Sequence, residues 1–245
     1  MLSIFTKKAS LIDLFKEGFV DMHNHILPGI DDGAKTFADS LKMLEAYSAY
    51  QITQIVATPH IIQGVWPNDQ KSIASAYNQL LDKLSDGVYS DFSIRFAAEY
   101  MMDEGFQALV RQKALLPVKD NMVLVEMSYF NPPLNLKELL FEIQLQGYVP
   151  ILAHPERYIS YHSQFDIYLK LKQAGFLFQL NLLSLIGFYG LPTQKAALHI
   201  LDKGLYDFAG TDAHKSEHLK LLKKIEKASV LKKLKPLIEN SKRFV

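Results

Sequence analysis

The chain has 245 residues, 49% hydrophobic and 22% charged, with a formal net charge of +1. This is the composition of a globular protein with a sizeable core and no global field to recruit nucleic acid or an anionic membrane. The absence of cysteine excludes disulfides and thiolate metal sites, so any transition metal must be held by imidazole and carboxylate, a donor set suited to Mn, Fe, Co or Zn.

From the N-terminus, residues 1–17 suggest an amphipathic lead-in helix carrying Leu11, Ile12, Leu14 and Phe15. Lys7 and Lys8 interrupt its apolar residues before a signal-peptide core can form. No run reaches the ~18 apolar residues of a membrane helix, so no membrane insertion and a cytoplasmic location are expected. Strand-like runs then fall at 18–22, 52–57, 92–97, 122–126, 149–153, 176–180 and 206–209. Helix-like segments lie near 36–50, 69–86, 103–112, 135–146, 163–174 and 192–203, with a last one from about 215. This alternation implies βαβ units and a parallel sheet. Seven units without a linker suggest one α/β domain over 1–245, a closed or nearly closed barrel in preference to a doubly wound open sheet. Residues 215–243 contain nine lysines and one arginine, expected to form the solvated face of basic C-terminal helices.

The chemistry concentrates where the strands end. The first runs FVDMHNH into His23 and His25, followed by Asp31, Asp32 and Gly33. IVATPH ends in His60, FAAEY carries Glu99, LVEM carries Glu126, and ILAHPER carries His154, Glu156 and Arg157. FQLN ends in Asn181, and FAGTDAH supplies Asp212 and His214. In a β/α barrel the C-terminal ends of the strands converge on one face. His23 and His25, two apart on extended chain, project to the same side. Carboxylates converging there without cations would repel one another, whereas divalent metals remove the conflict. Nine ligands (His23, His25, one of Asp31 and Asp32, His60, Glu99, Glu126, His154, Asp212 and His214) exceed what one metal takes and point to two or three. His199, inside the helical phrase AALHILDKG, is expected to be structural. Trp66 and Tyr100 are candidates to stack on an aryl substrate, and Asp31, Glu156 and His218 are the candidates for a general acid.

The phrases DMHNHILPGIDDGAKT, VATPH, AE, VEM, LAHPERY and TDAH resemble the polymerase and histidinol phosphatase (PHP) superfamily. More narrowly, they resemble its bacterial tyrosine phosphatases of capsule and exopolysaccharide loci, which act against bacterial tyrosine kinases. The resemblance spans Asp21 to about His214. It implies a distorted seven-stranded (β/α) barrel with a trinuclear, usually manganese-supported site. It selects Asp32 over Asp31 as ligand and assigns Arg157 to the substrate phosphate. The implied substrate is a phosphotyrosine protein, such as a tyrosine-kinase tail. A small-molecule phosphatase, for example on histidinol phosphate, is the alternative. Two positions depart from the pattern. Ile61, Ile62 and Gln63 stand where such proteins often carry basic residues, and Lys215 and His218 stand where an arginine can follow the last motif.

Overall fold

A computed structural model describes residues 10–85 and 87–245. The chain runs through α1 (Leu11–Phe15), β1 (Val20–Asp21), α2 (Phe37–Ala49), β2 (Gln54–Ala57), β3 (His60–Ile61) and α3 (Gln70–Leu84). It continues through β4 (Ser93–Phe96), β5 (Glu99–Met101), α4 (Glu104–Arg111), β6 (Met122–Glu126), α5 (Leu136–Leu145) and β7 (Val149–Ala153). The remainder is α6 (Asp166–Gln173), β8 (Leu177–Asn181), α7 (Leu191–Asp202), β9 (Phe208–Gly210), α8 (Ser216–Leu221) and α9 (Ala228–Ser241). Of the expected lead-in helix, α1 is observed; residues 1–9 lie outside the described residues. Local chemistry sets the helix starts. Thr36 and Asp39 form a capping box on α2, Asp69 and Ser72 form one on α3, and Asp103 accepts from Phe106 N at the start of α4.

Every strand pairing is parallel. The strands form two sheets, ordered β1-β2-β4 and β3-β5-β6-β7-β8-β9. No continuously closed sheet is present among the described residues, where the spacing predicts a closed or nearly closed barrel. Two strands lie beyond the expected set: β3 follows β2 after Thr58–Pro59, and β5 follows β4 after Ala97–Ala98. Proline has no N–H to give a ladder, but Pro59 still accepts from Glu99 N at 3.0 Å and Ala57 accepts from Ala97 N at 2.8 Å. At the other edge Asn24 bridges Ala213 in parallel, with His25 N donating to Ala213 O at 2.9 Å.

Strand side chains alternate between two cores, as the period of two requires. Val20, Val56, Leu124, Ile151 and Phe208 pack in one cluster with Phe244. Ile55, Val123, Val125 and Leu152 pack outward against the helices in the larger one. Strands buried on both faces belong to a helix-covered parallel sheet. In α8 and α9, Leu219, Leu231, Leu234, Leu237 and Ile238 are buried while the lysines are exposed, the pattern of a solvated amphipathic face. Among the described residues, no helix is long and apolar enough to cross a membrane.

Candidate metal centre

β1 leads straight into His23 and His25, and the sheet places the other strand-end residues beside them. His60 and Glu99 are register partners on β3 and β5, and Glu126 ends β6. His154 follows β7, and Asp212 and His214 follow β9. His154 and Asp212 adopt positive φ, 35° and 49°, a conformation that costs non-glycine residues about 1 kcal/mol or more. Glycine allows the close approaches: a Cβ on Gly33 would fall 2.2 Å from His25 O, and one on Gly210 would fall 2.9 Å from His23 Cβ.

Glu99, fully buried, sits at the middle of the cluster. Its Oε2 lies 3.1 Å from His23 Nε2, 3.5 Å from His25 Nε2 and 3.1 Å from His60 Nδ1, and its Oε1 lies 3.1 Å from His154 Nε2. Asp212 Oδ1 is 3.4 Å from His23 Nε2, 3.3 Å from His25 Nε2 and 3.4 Å from His214 Nδ1. Glu126 Oε1 is 3.2 Å from His60 Nδ1, while Asp32 Oδ1 lies 3.5 Å from His60 Nε2 and 3.4 Å from His214 Nε2. All nine residues anticipated at strand ends thus share one cluster. Within it, three sets place their ligand atoms within 4.8 Å of one another: His25–Asp32–His60–His214, His23–His25–Glu99–Asp212 and His60–Glu99–Glu126.

The donor set fits divalent cations. Gln179 Nε2 donates to Leu180 O (2.7 Å), which leaves its Oε1 to accept from His23 Nδ1 at 2.9 Å. Asp31 Oδ2 likewise accepts from His25 Nδ1 at 2.8 Å. Both imidazoles therefore carry their hydrogen on Nδ1 and, when neutral, turn Nε2 lone pairs toward carboxylate oxygens. Buried His23 Nε2, His25 Nε2, His60 Nδ1 and Glu99 Oε2 have no hydrogen-bond partner among the described residues, which is costly unless protons or metals lie between them. In metal-free protein the protons do this. Burial opposes a charged His23, but Glu99 and Asp212 raise its pKa to about 9. His25 rises well above its usual value, against burial, through Asp31, Asp212 and Glu99. The facing imidazoles hold Glu99 and Asp212 well below the carboxylate range despite complete burial. Asp32, opposed by partial burial and favoured by His214 and His60, is lowered to about 2.

The two adjacent aspartates point different ways. The buried Asp31 side chain accepts from His25 Nδ1, Gly33 N and His60 N, while half-exposed Asp32 faces His60 and His214.

Above the cluster opens a cavity of about 630 Å³ lined by Tyr129, Arg157, Tyr189, Lys35, Lys215 and His218 among others. Arg157 is sandwiched between Tyr129 and Tyr189, 4.3 and 4.1 Å from the ring centres. Its Nη1 donates to Asp212 Oδ2 at 2.9 Å, an oxygen that also accepts from Asn181 Nδ2 at 2.7 Å. The aryl-stacking expectation needs correction. Tyr100 is buried in the core with its hydroxyl accepting from Leu116 N, and Trp66 does not line the cavity. The aromatic walls are Tyr129 and Tyr189, which lie in loops beyond the strand-end motifs, where no strand pattern marks them. Of the three general-acid candidates, Asp31 is occupied as described. Glu156 is buried and accepts from Asn181 N and Tyr206 OH. Only His218 lines the cavity; its pKa is lowered to about 4, first by burial and then by His214.

The model of the CpsB/CapC family of capsular polysaccharide synthesis matches residues 19–235. The chain belongs to that family. It is 31% identical over 201 residues to the tyrosine-protein phosphatase YwqE of Bacillus subtilis, covering 80% of this chain and 77% of that protein. To the tyrosine-protein phosphatase CpsB of Streptococcus pneumoniae it is 25% identical over 201 residues, covering 80% and 82%. Its structure superimposes with a TM-score of 0.76 and 28% identity, over 91% of this chain and 94% of the other, on a chain from the crystal structures of YwqE and CpsB, described as unique metal-dependent tyrosine phosphatases. The CpsB/CapC match encloses every residue of the cluster. Within this CpsB/CapC chain, Ile61 packs against the core and Gln63 N binds Asp103, and neither lines the cavity. Lys215 and His218 both do.

Proposed function

We propose that this chain is a metal-dependent protein-tyrosine phosphatase of PHP type acting in capsule or exopolysaccharide synthesis. The observation that carries the reading is the convergence of unpartnered buried imidazole and carboxylate atoms directly beneath an aromatic-clamped arginine. The ligands are His23, His25, Asp32, His60, Glu99, Glu126, His154, Asp212 and His214, holding two or three divalent metals with manganese preferred. A single domain built as a distorted barrel is supported by the hydrogen bonds that bridge Asn24 to Ala213 and continue β2 and β4 toward β3 and β5.

Bound metals would supply Lewis acidity and bring water's pKa into the neutral range. The chain's own residues then bind and orient. Arg157 offers its free guanidinium edge to the phosphoryl oxygens, pre-set by two rings so that little freedom is lost on binding. Tyr129 and Tyr189 give an aryl phosphate an apolar wall beside that guanidinium. A phenol with a pKa of ~10 is a better leaving group than an alkyl alcohol, which favours phosphotyrosine. Gln179 and Asp31 hold His23 and His25 in the tautomer that frees Nε2 for metal.

The test is turnover of a phosphotyrosine peptide, p-nitrophenyl phosphate and histidinol phosphate by the purified chain. Phosphotyrosine hydrolysis abolished by EDTA and restored by Mn²⁺ is expected. Hydrolysis indifferent to chelation would overturn the metal-dependent reading, and a preference for histidinol phosphate would move the chain to small-molecule phosphatases.

A further inference from the structure

The residues that remain unexplained by the phosphatase reading stand on one side of the cavity. Tyr129, Arg157 and Tyr189 follow the neighbouring strands β6, β7 and β8 and form one wall. Lys35 and Lys42 lie just before and within α2, and Lys215 follows β9. The Asn24–Ala213 bridge and the packing of α2 on α8 bring these segments together as a second wall, adjoining the first where β9 lies beside β8.

The charge is distributed unevenly between the two. Arg157 is engaged with Asp212. Lys35 and Lys215 are exposed, and neither is in an ion pair among the described residues. Two acids share their wall: Asp39 is paired with Lys42, and Glu217 accepts from Ser216 and interacts with Lys220 and Lys215. With Lys35, Lys42 and Lys215 against Asp39 and Glu217, the wall is net positive toward whatever crosses the rim.

We propose that this wall selects phosphotyrosine segments flanked by acidic residues. The inference rests on the phosphatase reading and names its substrate class. With the phosphoryl group above the metal cluster at Arg157 and the ring against the tyrosines, the flanking peptide must leave across the open rim. A cavity of about 630 Å³ is large enough to admit residues beyond one side chain. Lysines on flexible stems are point charges without the fork of a guanidinium. They fit carboxylates at varying positions, so the recognition is of a charge class and not of one sequence. Such contacts act through exposed pairs and weaken with salt.

The experiment compares kcat/KM of the Mn²⁺-loaded full chain on matched phosphotyrosine peptides with Glu-rich, Ala-rich or Lys-rich flanks, alongside p-nitrophenyl phosphate. The Glu-rich peptide is expected to lead the Ala-rich one by about 5- to 10-fold at low salt, the scale of two or three exposed pairs, with the gap closing as salt rises. Lys35→Glu/Lys215→Glu should erase or invert that order, read as the ratio of the two peptides within one variant, from which any change shared with p-nitrophenyl phosphate cancels. Flank-independent turnover by the wild type would overturn the inference alone, as would a preference that survives charge reversal. Absence of turnover on p-nitrophenyl phosphate and all peptides would overturn the phosphatase reading, and the inference with it.

Discussion

His25 Nδ1 donates to Asp31 Oδ2 at 2.8 Å, and the next residue, Asp32, turns its carboxylate the other way, toward His60 and His214. Asp31 thereby fixes the His25 tautomer, and its oxygens are turned to Gly33 N and His60 N as well. Asp31→Asn should weaken metal binding by about 10- to 100-fold while leaving the number of metals at saturation unchanged. Asp32→Ala should lower that number or abolish one binding phase. Chelator-competition titrations of both variants check this; loss of a metal from Asp31→Asn with normal binding by Asp32→Ala would exchange the roles.

Metal removal should also leave a pH signature. The folded pKa of His23 is raised to about 9 and those of His25 and His60 are raised, against an unfolded value of ~6.5. Their contribution to stability is therefore fully present below about pH 6.5 and is lost as pH rises through the folded values. Asp32, Glu99 and Asp212 are lowered, so their contribution is present above about pH 4 and is lost as pH falls through the folded values. Metal-free protein should accordingly be most stable between about pH 4.5 and 6.5 and lose Tm toward pH 9. Metals displace those protons, so the Tm gained on adding Mn²⁺ should widen over the same rise. Thermal scans in EDTA and in Mn²⁺ at four pH values measure both trends; a flat EDTA curve from pH 6.5 to 9 would contradict the cluster's electrostatics.

The clustering of the strand-end residues was legible in the sequence because strands are short and parallel, so polar residues at their ends stand out from apolar runs and must meet on one face. What was not legible has specific causes. Asp31 and Asp32 are chemically alike and adjacent, and only the turn tightened at Gly33 separates them. Tyr100 follows Glu99 on an extended strand, so when Glu99 faces the cluster Tyr100 must face the opposite side; that alternation was readable and argues against the stacking role. Gln179, two residues before Asn181 on β8, shares its face, yet an amide carries no metal-ligand signal and its partner, His23, is 156 residues away. Tyr129 and Tyr189 become a pair only because β6, β7 and β8 are neighbours around Arg157. The further strands after Thr58–Pro59 and Ala97–Ala98 depend on how the strands shift against each other, which local pattern does not encode.

His154 and His199 separate chemistry from scaffold. His154 Nε2 lies 3.1 Å from Glu99 Oε1. His199, on α7, stacks on Phe165 with ring centres 4.1 Å apart, and it does not line the cavity. His154→Ala should reduce bound metal and activity together. His199→Ala should keep metal content and kcat/KM and lose only packing, about 1 kcal/mol of stability. Elemental analysis and aryl-phosphate kinetics on both variants distinguish the roles, and a metal deficit confined to His199→Ala would reverse them.

Arg157 is the residue on which substrate binding should turn. Its guanidinium is held between Tyr129 and Tyr189 with Nη1 on Asp212 Oδ2, so its position is set before substrate arrives. In Arg157→Ala that carboxylate oxygen keeps the hydrogen bond from Asn181 Nδ2, so Asp212 stays satisfied and metal content should be unchanged. The loss should appear in catalysis, lowering kcat/KM on aryl phosphate by about 10²-fold or more, the scale of removing one positioned charge-stabilising donor. Arg157→Lys should recover only part of this, because an ammonium keeps the charge but neither stacks as a plane between two rings nor donates as a fork. If the arginine served only to neutralise Asp212, the expected order would differ: metal affinity would fall, and lysine would restore activity almost fully. Metal titration and steady-state kinetics on the two variants decide between these patterns, and near-normal kcat/KM in Arg157→Ala would remove the arginine from the reaction.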